Sequence, residues 1–355
     1  MTNDRGEPPR APSREPDDER IRALEDEVHK LSEYVGLLRH QLDRVESQAA
    51  HRPFRARVAS RAKRALGIRI GMLWHHPPKP VQIPARYFDP PRLASPPAIA
   101  IATPAFNHAA YLERTLRSVL DQDYAPLEYA VQDGGSLDGT REILERYRPR
   151  LKHADSRRDE GQAQAINRAF AHTSGPIMAY LNSDDLLLPG ALHYVAHYFA
   201  RHPEVDVLYG HRILIDEDDG EIGRWVLPPH DDAVLRWADY VPQETLFWRR
   251  TLWDRAGGAL DESFRFAMDW DLLLRFQEAG ARIVRVPRFL GSFRVHARSK
   301  TLTQLTEQGA AEMDRLRRRC HGRTVTRTEI RRGTLRYVLR QGLFHRLYAL
   351  GLLRT

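Results

Sequence analysis

Two adjacent carboxylates, Asp184 and Asp185, stand where an apolar run, Ile177 to Leu181, stops at Asn182 and Ser183. A pair of acids at the end of a buried strand has two uses. It can favour the N-terminus of the next helix through the macrodipole, or it can hold a divalent cation with hard oxygen ligands. Two other polar clusters lie at comparable places. Thr103–His108 closes the run "AIAIATPAFNH", and Asp133–Ser136 closes "LEYAVQDGGS". Each is bland alone, since Asp-Gly and Asn are ordinary turn residues. Further on, "FAMDWDLLLRF" carries Asp269 and Asp271, and "FRVHARSKT" carries His296 among Arg294, Arg298 and Lys300. Two residues apart on a helix means roughly 200° of rotation, so the two acids face nearly opposite ways. A lone histidine is more often a core or surface residue than a ligand.

The elements that carry these groups follow from periodicity. From Ala98 on, apolar strand-like runs alternate with the helical patterns "AAYLERTLRSVLDQ", "DGTREILERYRP", "GQAQAINRAFAHTSG" and "PGALHYVAHYFARHP". That alternation predicts an α/β domain with a largely parallel sheet. Ligands of such sheets bind beyond the carboxyl ends of the strands. Thr103–His108, Asp133–Ser136 and Asn182–Asp185 all fall there, so a shared site is expected.

The flanks have a different texture. Residues 1–17 are polar and Pro-rich and read as a disordered tail. Over 18–48, Ile21, Val28, Val35 and Leu42 alternate with Leu24, Leu31, Leu38 and Val45 as the a and d positions of a heptad. Mostly β-branched a positions with mostly Leu at d predict a parallel two-stranded coiled coil, hence a homodimer. Residues 49–97 read as a basic helix (54–74) followed by a Pro-rich linker, and 302–355 as a basic helical extension. In the extension Leu335, Val338, Leu339, Leu343, Leu347 and Leu350 recur near helical spacing among Arg336, Arg340 and Arg346. Both basic stretches suit an anionic membrane surface, although the last helix would equally pack on the catalytic domain.

Composition narrows the classes. The chain has 355 residues, 42% hydrophobic, enough for one large domain with appendages. The single cysteine, Cys320, excludes a disulfide framework and a thiolate metal cluster. The N-terminus lacks the apolar core of a signal peptide, and no run approaches the roughly 18 apolar residues of a membrane span. These features predict a cytoplasmic protein, peripheral at most at the inner face of a membrane. A net charge of +8 points to an anionic partner. Nucleic acid is not expected, because no aromatic platform interleaves the basic residues.

Taken together, "TPAFNHAAYLERTLRSVLDQDY", "VQDGGSLDGT", "DEGQAQAIN", "LNSDDLLLPGAL", "FWRRTLWDRAGGALDESFRFAMDWDLLLRF" and "FRVHARSKT" occur in an order that resembles the family-2 glycosyltransferases of the GT-A fold. The resemblance covers about residues 98–301. It implies a Rossmann-like mixed sheet flanked by helices, here with an N-terminal coiled coil and a C-terminal helical extension. It also implies inverting transfer of a sugar from a nucleotide-diphosphate sugar donor to an acceptor hydroxyl on a glycan or lipid-linked molecule, in cell-envelope glycan, glycolipid or polysaccharide biosynthesis. The QxxRW pattern of processive synthases is absent, so transfer of a single sugar is expected.

The resemblance implies residue roles as well. Its Asp-x-Asp motif falls on Asn182, Ser183 and Asp184, which gives Asp184 the contact to Mg²⁺ or Mn²⁺ and Asp185 a supporting place. Asp133 would read the base, with Thr103, Pro104 and Phe106 lining the nucleotide pocket and Gln162 and Asn167 touching the donor. The family's Glu-Asp pair keeps only its Asp, as Asp269, the general base, because Met268 replaces the Glu; Asp271 is the rival. His296 would return to the metal or pyrophosphate, with Arg294, Arg298 and Lys300 screening phosphate charge. Gly257 and Gly258 would let backbone pass close to a substrate or only end a helix, and Trp248 would wall the acceptor or fill the core. An NAD-linked Rossmann enzyme is disfavoured, since no glycine stands in "TPAFNHAA". The remaining alternative is an inactive scaffold or binding module acting through its coiled coil and basic helices.

Overall fold

A computed structural model describes residues 67–297, 299 and 307–355. The expected tail at 1–17 and coiled coil at 18–48 lie outside the described residues, as do Arg298 and Lys300. In chain order the elements are β1 (Ile99–Ala105), α1 (Ala109–Leu120), β2 (Leu127–Asp133), α2 (Thr140–Tyr147), β3 (His153–Ser156), α3 (Gln162–Phe170), β4 (Ile177–Tyr180), β5 (Leu186–Leu187), α4 (Ala191–Arg201), β6 (Val207–Ile215), β7 (Glu221–Trp225), α5 (Asp232–Leu235), β8 (Phe247–Arg249), α6 (Arg250–Arg255), α7 (Met268–Glu278), β9 (Ile283–Arg294), α8 (Glu307–His321) and α9 (Arg327–Ala349).

The strands form one mixed sheet in the order β3-β2-β1-β4-β8-β6-β9-β5, with β7 added to β6. The half made of β3, β2, β1 and β4 is parallel. Antiparallel β8 joins it to the parallel pair β6 and β9. All seven residues of β1 are buried, as a central parallel strand covered on both faces requires. Side chains alternate across it. Ile99 and Ile101 enter one core with Leu112, Leu116 and Val119 of α1. Ala100 and Ala102 enter the other with Ile166 and Phe170 of α3. The chain leaves β1 toward β2 and β3, then returns to β4 on the opposite side. That reversal opens a crevice at the carboxyl ends of β1 and β4.

The flanks depart from the simple expectation. Of the basic helix expected over 54–74, residues 54–66 lie outside the described residues, and 67–74 are not helical. Gly67 and Gly71 take φ of 75° and 77°, and Pro77 and Pro78 follow, so a continued helix is disfavoured. The Pro-rich stretch is no free spacer either. His75 N–H donates to the Ile222 carbonyl (2.8 Å), Lys79 bridges Glu221, and the Tyr87 side chain is fully buried with its hydroxyl accepting from Phe289 N–H (2.9 Å). An apolar aromatic that finds a core holds the segment down as a strap.

The C-terminal extension is helical and packed. On α8, Glu312 accepts hydrogen bonds from the backbone N–H groups of Arg265, Phe266 and Ala267 (3.0, 2.9 and 3.0 Å), just before α7. On α9, Tyr337 and Gln341 are buried, and Gln341 accepts from the N–H groups of Arg69 and Ile70. The opposite face of α9 leaves Leu335, Leu339 and Leu343 about half exposed, at 55%, 49% and 54%. Among the described residues no helix is long and apolar enough to cross a membrane.

Candidate active site

The crevice collects the predicted polar clusters. Asn107 takes φ of 52° at the end of β1, and its N–H donates to Ser136 Oγ (2.7 Å), while Leu137 N–H donates to Asn107 Oδ1 (3.1 Å). His108 N–H donates to Thr140 Oγ1 (3.1 Å). The β1–α1 turn is thereby locked to the β2–α2 turn. The same locking places His108 over the loop after β4, where His108 Nδ1 lies 2.7 Å from Ser183 Oγ.

From β9 comes His296, which is 3% exposed, with its Nε2 2.9 Å from Asp184 Oδ2. His108, Asp184 and His296 each offer one ligand atom, and these atoms all lie within 4.8 Å of one another. Burial opposes the charged form of Asp184. The hydrogen bond to His296 and the positive influence of His108 and His296 outweigh it and hold the carboxyl below its ordinary range. Two imidazoles and a carboxylate on one side of an open crevice suit a divalent cation that tolerates mixed N and O ligands.

The neighbouring acid is differently placed. Asp185 is 1% exposed; its Oδ1 accepts from Arg294 N–H (3.0 Å) and its Oδ2 from Asn182 Nδ2 (3.2 Å). Burial first, then the charges of Asp184 and Glu244, push its carboxyl well above the usual range. Asp185 therefore shapes the loop and leaves Asp184 to face the crevice. The amide at 182 has a physical reason. Asn182 Oδ1 accepts from Gln162 Nε2 (2.5 Å), and its Nδ2 donates to both Asp185 and Gln243 Oε1 (3.2 Å each). An aspartate there could not donate to either oxygen and would add a second negative charge beside Asp185.

Several expected donor contacts are engaged within the protein. Asp133 is fully buried; its Oδ2 accepts from Gly135 N–H, Ser136 N–H and Ser156 Oγ (3.2, 2.9 and 2.6 Å), and its Oδ1 accepts from Ser136 Oγ. Thr103 is fully buried with its hydroxyl 2.9 Å from that of Tyr129, and Pro104 is buried beside it. Asn167 binds the 260–262 loop instead of the crevice: Leu260 N–H donates to its Oδ1 (2.8 Å), and its Nδ2 donates to the Leu260 carbonyl and Glu262 (3.0 Å each). Phe106 does face outward, 60% exposed at the mouth of β1. Gly134 lies against it, since a Cβ there would come within 3.2 Å of the Phe106 ring.

Asp269 and Asp271 are separated as helical geometry demands. Asp271 is fully buried and paired with Arg275 (2.8 Å) and with Arg319 of α8 (2.6 Å). Asp269 is half-buried on the first turn of α7. It lies close enough to Tyr180 and Asp239 for its charge to act on both. Asp239 is exposed, with its Oδ1 accepting from Val241 N–H (3.2 Å).

The phosphate role of Arg294 needs correction, whereas Trp248 and the two glycines fall on the structural side of the alternatives left open. Arg294 has no exposed surface. It donates to the carbonyls of Asp184 (2.8 Å), Asp216 (2.8 Å) and Glu217 (3.1 Å) and pairs with Asp219 (2.5 Å), so it ties the β6–β7 turn to the loop after β4 and faces no phosphate. Trp248 is core, stacked on Trp253 at 5.9 Å between ring centroids. Gly257 and Gly258 are exposed, at φ of 106° and 65°, and end α6 by donating to the Asp254 and Trp253 carbonyls. The sequence reasoning missed His108 as a ligand, although it directly follows the β1 motif. It also missed Asp239, Gln243 and the buried bidentate pair Arg212–Glu244 (2.8 and 2.5 Å), for which the sequence carries no local signal.

A parallel half-sheet ending in a metal-suited crevice, joined through antiparallel β8 to a β6–β9 pair that returns a histidine to it, is the arrangement of the GT-A fold. The family model described as glycosyl transferase family 2 matches residues 100–259, so this part of the chain is similar to that family. It is 32% identical over 217 residues to the O-antigen biosynthesis protein RfbC of Myxococcus xanthus, covering 59% of this chain and 17% of that protein. The structure of S. aureus TarS 1–349 aligns with a TM-score of 0.51 at 17% identity, over 71% of this chain and 72% of that one. The mannosyltransferase PcManGT from Pyrobaculum calidifontis, solved in complex with GDP-Man and Mn²⁺, aligns with a TM-score of 0.50 at 20% identity, over 76% of this chain and 81% of that one. The two structures are likenesses of fold. The chain spans well under two thirds of the length of RfbC and of the chondroitin synthase of Escherichia coli, 17% and 27%.

Proposed function

We propose that this protein transfers a single sugar, with inversion, from a nucleotide-diphosphate sugar to a hydroxyl of a glycan or lipid-linked acceptor in envelope polysaccharide synthesis. The observation that carries the reading is the convergence of His108, Asp184 and His296 at the crevice between β1 and β4. The relationship to an O-antigen biosynthesis protein supports the biological setting.

In this reading Asp184, His296 and His108 hold a divalent cation, whose chemistry would be to neutralise charge on the leaving diphosphate. A set of two nitrogens and one oxygen favours Mn²⁺ over Mg²⁺, which prefers oxygen throughout. PcManGT, with its bound Mn²⁺, is consistent with that choice. Phe106 offers an aromatic face to a nucleotide base. Asp133 acts on the base pocket by fixing the turn at Gly135 and Ser136. Gln162, through Asn182, holds the loop that presents Asp184. Asp269, as the carboxylate, accepts the proton of the acceptor hydroxyl.

Two associations extend the reading. The half-exposed leucines of α9, flanked by Arg332, Arg336 and Arg340, support contact with an anionic membrane surface. The heptad over 18–48 supports a parallel dimer, which sedimentation of the full chain against one beginning at residue 67 tests. The decisive experiment is a screen of nucleotide sugars for nucleoside-diphosphate release, with Mn²⁺ and with chelator. Metal-dependent release from one donor is expected. If every donor neither binds nor turns over, the chain is a non-catalytic module.

A further inference from the structure

A second cationic site shares no residue with the crevice. Arg288, on β9, is 6% exposed, and its guanidinium is sandwiched between two aromatic rings. The carbon lies 3.9 Å from the Tyr87 centroid and 4.7 Å from that of Tyr194. Stacking satisfies the faces of the guanidinium but not its in-plane donors. Nε and Nη2 are buried without a hydrogen-bond partner. The side chain borders a pocket of about 300 Å³ whose other walls are Arg86, Tyr194, Pro287, Arg354 and Thr355. Among the described residues no carboxylate lies within ion-pair distance of Arg86, Arg288 or Arg354.

Arginine stays charged even when desolvated, and a buried charge without a counter-charge is costly. Three guanidinium groups around one pocket call for an oxyanion with several acceptor oxygens, which the planar arginine fork matches pairwise. Exposed apolar side chains stand close by in the chain. Phe88, two residues after Arg86, is 66% exposed, and Leu352, two residues before Arg354, is 68% exposed.

We propose that Arg86, Arg288 and Arg354 form a phosphate-binding site, separate from the donor crevice and independent of the activity proposed above. The ligand chemistry is a phosphate mono- or diester, carried either on a soluble molecule or on a phospholipid headgroup.

The test uses the full chain and two double variants. Arg86→Gln with Arg354→Gln alters exposed pocket residues and leaves the buried stack intact. Arg141→Gln with Arg201→Gln removes the same charge from exposed positions elsewhere. Inorganic phosphate is titrated at constant ionic strength and read by thermal shift, and flotation is measured on phosphatidylcholine vesicles with and without phosphatidylglycerol. A soluble-phosphate site gives stabilisation in the wild type and the control, with affinity about tenfold weaker or more in the pocket variant, as loss of charge-assisted hydrogen bonds requires. A headgroup site gives flotation with phosphatidylglycerol that the pocket variant loses and the control keeps. Arg288→Met, which preserves the stack's volume, repeats the loss in whichever arm responds. The proposal is overturned if pocket variant and control behave alike in both arms, or if the wild type responds in neither.

Discussion

Replacing Glu312 by Ala isolates the contribution of α8 to the helix that carries Asp269. Glu312 is 8% exposed, and its two oxygens take the N–H groups of Arg265, Phe266 and Ala267. Those groups lead into the N-terminus of α7, where no side chain of α7's own N-cap residue, Ala267, can serve. Burial opposes the charge on Glu312, but the three N–H donors outweigh it and lower its carboxyl. Each charge-assisted bond is worth about 1.5–3 kcal/mol in isolation, and three sharing one carboxylate are far from additive. The anion at a helix N-terminus adds about 0.3–1 kcal/mol. Water entering the vacated space recovers part of this, so the expected loss is about 2–4 kcal/mol. At roughly 2 °C per kcal/mol for a chain of this size, melting should fall by about 4–8 °C. Hydrogen exchange should rise first in 265–271, because that is where the donors are released. In a donor-saturated transfer assay kcat should fall with little change in donor KM, and Glu312→Gln should restore part of both effects, since its amide oxygen can still accept. A Glu312→Ala protein with unchanged melting and unchanged exchange at 265–271 would refute the reasoning.

Further outcomes are specific. Asp184→Asn should lower Mn²⁺-dependent transfer by at least about a hundredfold, as loss of several kcal/mol at a metal implies; circular dichroism should be unchanged, and Mn²⁺ binding followed by electron paramagnetic resonance should weaken. Asp269→Asn should lose about 10²–10⁴ in kcat while retaining nucleotide binding by calorimetry. Asp271→Asn should instead cost about 1–3 kcal/mol of stability, because it leaves Arg275 and Arg319 with a neutral partner; the opposite pattern would reverse the assignment. His75 and His345 are both lowered to about 4, by burial first, with the Arg69 charge adding to it. Because the unfolded chain takes up their protons first, stability should be full above about pH 6.5 and decline as pH falls toward 4. Urea melts of a His75→Gln, His345→Gln variant should show a shallower decline over that window than the wild type.

The sequence exposes what repeats with a period or follows directly in the chain. Strand–helix alternation is visible because apolar spacing is set by local geometry, and Asp184, Asp269 and His296 are visible because each ends or begins an element. What stays hidden depends on partners far along the chain. Which acid of the Asp184–Asp185 pair faces the crevice is decided by Arg294, more than a hundred residues away, whose N–H captures Asp185. Asp271 is settled by Arg319 across a helix–helix contact. Arg294 reads as a phosphate ligand in its motif because nothing local reveals that three carbonyls take its donors. The Pro-rich stretch reads as a spacer because one buried tyrosine, Tyr87, is enough to fasten it.

The crevice is written in two parts of the chain that meet only in three dimensions. His108, Phe106 and Asp184 come from the parallel half, inside the family match at 100–259; Asp269, His296 and Glu312 come after it. The first set is fixed by strand register and turn-to-turn hydrogen bonds, the second by a helix gripped from the C-terminal extension. Exchange of the later part would reach the first as well, because Arg294 of β9 holds the loop that presents Asp184 and β9 pairs with β5 and β6. A gene fragment cut at the end of the family match would lose β9, and with it the strand partner of β5 and β6 and the arginine that holds the loop at Asp184.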